Sequence, residues 1–388
     1  MGVGFPGKVG AFSPLPPNVS PVAPEKRLQQ IADQFAHQGN ITGIAAFGSG
    51  NINDTFLVAL DDVLQTRFVL QRINTHVFRN PAAVMQNMRT FTDHMHGRLA
   101  GGQGDRRWEV PRVILTKEGG DHWEVDGEFW RAISFVENSE SFDVMHDGDH
   151  AWEVGFALGQ FHDLISDLAA ERLVDTLPGF HITPGYLAQY EAVVPGTQVE
   201  KTPEVEYCLQ FVGDRAPWCG VLETAKAEGK LPLRLMHGDP KVNNIMFDKT
   251  TGKAVAVVDL DTVKPGLVHY DIGDCLRSGC NLLGEETADW RSVTFELSLC
   301  KAILSGYLSV ARSFLTSADY DFLFDGIRLI AFELGLRFFT DHLAGDVYFK
   351  TKYPGHNLAR ALVQFQLTAS IEAQETEICG LIAQMREV

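Results

Sequence analysis

The chain has 388 residues, 45% of them hydrophobic and 21% charged, and a net charge of −17. That length allows two or three domains with sizeable cores, and the apolar content excludes global disorder. The acidity argues against nucleic acid or an anionic membrane as the main partner. The six cysteines are scattered, without CxxC or zinc spacing, and read as buried small hydrophobes of a reducing compartment. No run of about 18 apolar residues and no signal-peptide pattern is present, so a cytoplasmic location is expected.

Residues 1–24 are rich in Gly and Pro without periodicity, which predicts a flexible or extended arm. Leu28, Ile31 and Phe35 recur at helical spacing and predict a helix with one buried face. ITGIAAFGSGNINDTFLVAL then predicts two strands around Gly48-Ser49-Gly50, and TRFVLQRIN a third. Glycines let backbone N–H groups approach an anion, so Gly48, Ser49 and Gly50 are candidate phosphate contacts in a lid; a plain hairpin is the alternative. A kinase-type site carries a Lys on the third strand, paired with a helix Glu. This chain has Val69-Leu70-Gln71-Arg72 there, and the following PAAVMQNMRTFTDHMHGRLA has no acid before Asp93. Gln71 or Arg72 is the candidate replacement, and strand alternation puts them on opposite faces. Further strands are predicted in WEVPRVIL, DHWEVDG and EFWRAISFVEN. At the end of the last, the backbone of Phe135 and Glu137 is a candidate adenine contact, unless this is an ordinary strand end.

From Asp149 the pattern turns helical, with His162 read as a packed core histidine. Residues 171–202 read as loop-rich and shape the acceptor side, and VEYCLQFVGDRAPWCGVLETAKAEG reads as helical. LMHGDPKVNNIMFDKTTGKAVAVVDLD follows. It carries His237, Asp239 and Asn244 in the order H-x-D-x-x-x-x-N, then a hairpin pattern that returns Asp259 to the Asn244 end. Phosphoryl transfer needs a base beside the acceptor oxygen and a metal ion bridging phosphate oxygens. Mg²⁺ keeps several waters, so one amide oxygen and one carboxylate are enough protein ligands. Asp239 is therefore the candidate base and Asn244 and Asp259 the candidate metal ligands. His237 and Asp271 are structural supports, Asp271 through hydrogen bonds to backbone N–H groups. Residues 289–316, 319–343 and 355–385 predict three long helices. Arg337 lies late in the second, and a polar, aromatic connection precedes the third.

From about Arg27 to Met385 the chain resembles the aminoglycoside-phosphotransferase and choline-kinase superfamily, and more narrowly the bacterial N-acetylhexosamine 1-kinases. FGSGNINDTFLV, VLQRIN, HGDPKVNNIMFDKTTGKAVAVVDLDTVKPG, DIGDCLR and GDVYFKTKYPGHNL carry the resemblance. It implies an α+β, bilobal protein-kinase-like fold. Residues 25–137 would form a small antiparallel-sheet N-lobe and residues 138–388 a larger, mainly helical C-lobe. It also implies ATP and Mg²⁺ as cofactors, a small-molecule sugar as partner, and a monomer or weak homodimer. The acceptor would be the anomeric hydroxyl of an N-acetylhexosamine, contacted by Asn51, Asp261, Arg337 and Tyr348. Asn51 stands where that family carries a sugar-binding His. Two alternatives stay open: another acceptor on the same fold (aminoglycoside, amino alcohol or other hexose), or a catalytically silent nucleotide-binding module.

Overall fold

Six antiparallel strands build the small lobe. In the computed structural model, which describes residues 25–48, 52–63, 66–102 and 106–387, the lobe begins with helix α1 (Glu25–Ala32) and strands β1 (Ile41–Ala46), β2 (Asp54–Leu60) and β3 (Arg67–Ile73). Helix α2 (Pro81–Ala100) follows, then β4 (Val113–Ile114), β5 (Trp123–Val125) and β6 (Glu128–Ser134). The sheet order is β1-β2-β3-β6-β4, with β5 also pairing to β6. The arm read at residues 1–24 lies outside the described residues.

Strand alternation divides the sheet into two faces. Phe56, Val58, Phe68, Leu70, Trp130 and Ala132 pack with Leu28, Ile31 and Phe35 under α1. On the opposite face, Ile73 and Phe129 pack with Val84 and Met85 of α2. Gln71 and Arg131 are cross-strand partners on that second face. The strand predicted over WEVPRVIL shrinks to two residues because Pro111 has no N–H for a ladder. The segment before it crosses to the large lobe, where the Glu109 N–H donates to the Val255 carbonyl.

The large lobe is mainly helical. β7 (Ser139–Glu140), α3 (Gly148–Ile165), α4 (Thr183–Val193), α5 (Pro203–Arg215) and α6 (Val221–Ala227) lead to β8 (Arg234–Met236), β9 (Ile245–Asp248), β10 (Ala254–Val257) and β11 (Lys264–Gly266). After them come α7 (Val268–Gly279), α8 (Leu297–Ala311), α9 (Ser317–Asp321), α10 (Leu323–Leu343), α11 (His356–Ala373) and α12 (Glu375–Glu387). Among the described residues, no helix is long and apolar enough to cross a membrane.

Several predicted boundaries move. The stretch read as loop-rich holds α4, whose weak apolar pattern buries only Thr183 and Tyr190. Pro217 divides the next helical section at Ala216–Trp218. Residues 293–296 run as non-helical chain, because Phe295 is tied sideways to α11, its N–H donating to Ser370 Oγ and its carbonyl accepting from Gln374 Nε2. The last predicted helix breaks at Gln374 into α11 and α12.

Helices α3 and α8 cross with their backbones nearly touching. A Cβ built on Gly306 would sit 1.9 Å from the Trp152 carbonyl oxygen, and one on Gly155 1.9 Å from that of Ile303. Gly306→Ala should therefore force the helices apart and lower stability by about 1–3 kcal/mol. Gly213→Ala, in α5 with nothing within 4 Å of the new Cβ, should instead add about 0.5–1 kcal/mol of helix preference. Urea midpoints that moved the same way for both variants would contradict the close-crossing account.

Candidate active site

The loop between β8 and β9 carries Asp239, and a buried polar frame sets its shape. Asp271, in the first turn of α7, accepts the N–H groups of His237 at 2.5 Å and Gly238 at 2.8 Å. Its Oδ2 also meets Nε2 of His162 at 2.7 Å, and His162 reaches the Tyr307 hydroxyl at 3.0 Å through Nδ1. Burial alone would raise the Asp271 carboxyl, but His162, His237 and the loop N–H groups hold it below the ordinary range. His237 donates from Nε2 to the Val258 carbonyl at 3.0 Å and accepts the Asp239 N–H on Nδ1 at 3.2 Å. Burial favours its neutral form. Gly238 has a φ of +89°, and a Cβ there would meet the Thr262 carbonyl oxygen at 2.9 Å, so the turn admits only glycine.

His181 braces the loop from the other side. Its Nε2 lies 2.9 Å from the Gly238 carbonyl and its Nδ1 2.8 Å from Glu333, which also accepts from the Thr183 hydroxyl. One helical turn beyond Glu333, the guanidinium of Arg337 lies over Tyr186 at 4.9 Å and over Phe180 and Phe349 at 5.5 Å. Tyr348 hydrogen-bonds the same guanidinium. Among the described residues, no carboxylate forms an ion pair with Arg337. The segment carrying Tyr348 is fixed by Asp341, whose carboxylate accepts the N–H groups of Val347, Tyr348 and Phe349 at 2.8–3.0 Å.

Around Asp239 the loop gathers charge. Lys241 Nζ lies 2.9 Å from its carboxylate, and Asp259 and Asp274 are close enough to repel it. Asp239 keeps 30% of its side-chain surface, yet the protein packed around it withdraws the carboxylate from bulk water. That desolvation first, and the two acids second, push its carboxyl up to about 7 against the opposing pull of Lys241. Asn244 donates from Nδ2 to the Asp239 carbonyl at 2.8 Å, which leaves Oδ1 as the amide's acceptor atom. The β9–β10 hairpin brings Asp259 to the same end: Val257 pairs with Ile245, and the Val258 N–H donates to the Asn244 carbonyl. Asp259 is open to the cleft and has left-handed backbone (φ 62°, ψ 56°), a conformation rare outside glycine and concentrated at functional sites. An amide oxygen and a carboxylate at one end of a hairpin fit the hard donor set of Mg²⁺. Among the described residues no group of three or more His, Cys, Asp or Glu is arranged to hold a metal.

The remaining predicted residues divide between the lobes. Gly48 lies two residues beyond the end of β1 with a φ of +77°; Ser49, Gly50 and Asn51 lie outside the described residues. Gln71 does not face the cleft unengaged: Nε2 donates to Thr55 Oγ1 at 3.0 Å, and Oε1 accepts from Arg131. Arg72 turns to Asp54 and Glu128. Phe135 is covered by the Arg67 guanidinium at 4.4 Å and by the edge of Phe47. Glu137 pairs with Arg67 through its carboxylate, and its carbonyl accepts from Arg107 at 2.6 Å. Asp261 is held by Arg131 and Asn53. A cavity of about 520 Å³ behind α2, lined in part by Arg89, Asp93, His94 and Arg172, contains none of these residues.

The profile of the phosphotransferase enzyme family, abbreviated APH, matches residues 43–293. The chain is similar to the crystal structure of an aminoglycoside phosphotransferase from Alicyclobacillus acidocaldarius subsp. acidocaldarius, at 15% identity and a TM-score of 0.63, over 96% of this chain and 98% of that one. It is also similar to a microcompartment-associated aminopropanol kinase, at 14% identity and a TM-score of 0.56, over 91% and 98% of the two chains. An amicoumacin kinase in complex with AMP-PNP, Ca²⁺ and Ami matches at 13% identity and a TM-score of 0.57, over 88% and 93%. At these identities the likeness is one of fold.

Proposed function

The chain belongs to the phosphotransferase enzyme family, and from that premise we propose that it transfers the terminal phosphoryl group of ATP to the anomeric hydroxyl of an N-acetylhexosamine. Asp239 takes the acceptor proton as the oxygen bonds to the γ-phosphorus. The bond from γ-phosphorus to the bridging oxygen breaks, ADP leaves with the electron pair, and a sugar 1-phosphate forms. Lys241 places a cation beside the transferred oxygens. Mg²⁺, held by Asn244 Oδ1 and Asp259, would supply charge neutralisation on the polyphosphate. An anomeric hydroxyl is more acidic than an ordinary alcohol, and a carboxyl pushed up to about 7 suits it as a base near neutral pH.

Arg337 carries the acceptor reading. A guanidinium among three aromatic rings, joined to the Asp239 loop through Glu333, His181 and Gly238, repels a polycationic aminoglycoside or an ammonium-bearing amino alcohol. It can donate to the acetamido carbonyl or hydroxyls of a neutral sugar whose apolar ring face lies on the aromatic side chains. Incubation with ATP, Mg²⁺ and a panel of GlcNAc, GalNAc, an aminoglycoside and ethanolamine tests this. The expected product of the N-acetylhexosamines shows a ³¹P signal coupled to the anomeric proton. Turnover of the aminoglycoside or ethanolamine without turnover of either sugar would overturn the acceptor assignment.

A further inference from the structure

Arg131 is the one buried cation on the cleft side of the small-lobe sheet among the described residues, and its partners span both lobes. Its Nε and Nη2 donate to Gln71 Oε1 at 2.9 and 2.6 Å, and Gln71 is in turn tied to Thr55, so three strands present one polar row. Its Nη1 lies against the sulfurs of Met85 and Met88 on α2, where a kinase-type helix would bring its Glu. The carboxylate comes from the large lobe instead: Asp261 Oδ1 is 2.5 Å from Nη1, and the two side chains are 1% and 2% exposed. The second oxygen of Asp261 accepts from Asn53 of the small lobe at 2.6 Å. Asp261 sits in the short 3-10 turn that starts immediately after the left-handed Asp259, and Thr262 of that turn donates to the His237 carbonyl.

We infer that Arg131 and Asp261 form an interlobe strut that positions the metal-binding carboxylate Asp259, an assignment that rests on the phosphotransferase reading above. Where a strand Lys and a helix Glu would pair within one lobe, this chain moves the cation one strand over and takes the acid from the loop that holds Asp259. The missing Lys and the acid-free start of α2 then have one cause. A buried ion pair adds little net stability over apolar packing, so its use here is to fix position. Arg131 also offsets the repulsion between Asp261 and Asp259. Both are positioning residues; neither is required to touch substrate.

The test compares Arg131→Met, Asp261→Asn, their double variant and Arg131→Lys in the full-length protein. Hydrogen exchange of residues 255–266 is measured without metal or nucleotide, and Mg²⁺-dependent binding of a fluorescent ADP analogue is measured separately. Arg131→Met leaves a lone carboxylate beside Asp259. It should accelerate exchange in 255–266 and raise the Mg²⁺ concentration for half-maximal binding about 10–100-fold, the usual cost of losing an outer-shell partner. The double variant carries no stranded charge and should recover part of both losses, and Arg131→Lys should lie between it and the native chain. Unchanged exchange in Arg131→Met, or exchange restored fully to the native rate in the double variant, would overturn the strut. If Arg131→Met fails to fold, Asp261→Asn decides by the same exchange measurement. The exchange result does not depend on the acceptor, so failure of the sugar assignment and failure of the strut are separately visible.

Discussion

Asp239→Asn is expected to lower kcat/KM by about 10²–10⁴-fold, the usual range for a general base, while nucleotide binding survives. The amide keeps the shape of the carboxylate but cannot take the acceptor proton. The loop should hold its form, since Asp271, His237 and His181 fix it through backbone atoms and not through the Asp239 side chain. The pH dependence supplies a second readout. Desolvation, then Asp274 and Asp259, push the carboxyl up to about 7, and the active form is deprotonated. Activity should therefore rise with pH along a limb set well above the ordinary Asp range, and added Mg²⁺ should move that limb to lower pH by favouring the anion. The same shift has a stability cost with a definite sign. A carboxyl raised in the folded state binds its proton more tightly there, so its charged form weakens the fold above that pKa, and the penalty is relieved as pH falls toward 4. The urea midpoint should rise on going from pH 8 to 6, and Asp239→Asn should remove the part belonging to this residue while stabilising the fold at pH 8. Near-native turnover in the variant, or an unchanged acid limb, would remove Asp239 from the role of base.

What could be read in the sequence was local. His237, Asp239 and Asn244 fall within one loop, and Asp259 returns along a hairpin whose apolar period is visible in AVAVV, so their spacing carries their proximity. Lys241 lies inside the same motif but was missed, because a lysine two residues after an aspartate looks like any solvated loop cation until its ammonium is seen 2.9 Å from the carboxylate. Arg131 and Asp261 were invisible as a pair for a different reason: their meeting depends on how two lobes dock, and no periodicity encodes that. The same holds for His181, in a segment whose apolar pattern is too weak to announce α4, and for Asp341, whose three backbone acceptor bonds hold the Tyr348 segment. The break at Gln374 has no proline or glycine to mark it; a side chain reaching back to Phe295 accompanies it. Gln71 and Arg72 are legible as candidates for the missing strand Lys, but the Arg131 guanidinium that Gln71 accepts from is not, because it comes from a neighbouring strand.

Asp259→Asn is expected to raise the Mg²⁺ concentration for half-maximal activity by at least tenfold and to lower kcat at saturating metal. Replacing the carboxylate by a neutral amide removes the one charged ligand that the hairpin offers a hard cation. Asn tolerates the left-handed backbone almost as well as Asp, so this variant isolates the loss of charge. Asp259→Ala combines that loss with about 1 kcal/mol of backbone strain and should be the less stable of the two. The substitution has a further consequence for Asp239. Asp259 is one of two acids that raise the Asp239 carboxyl, so at saturating Mg²⁺ its neutralisation should move the acid limb of the remaining activity to lower pH. A Mg²⁺ activation curve that stays in place would take Asp259 out of the metal site. A shifted curve with an unshifted acid limb would instead place the two carboxylates too far apart to share one cleft.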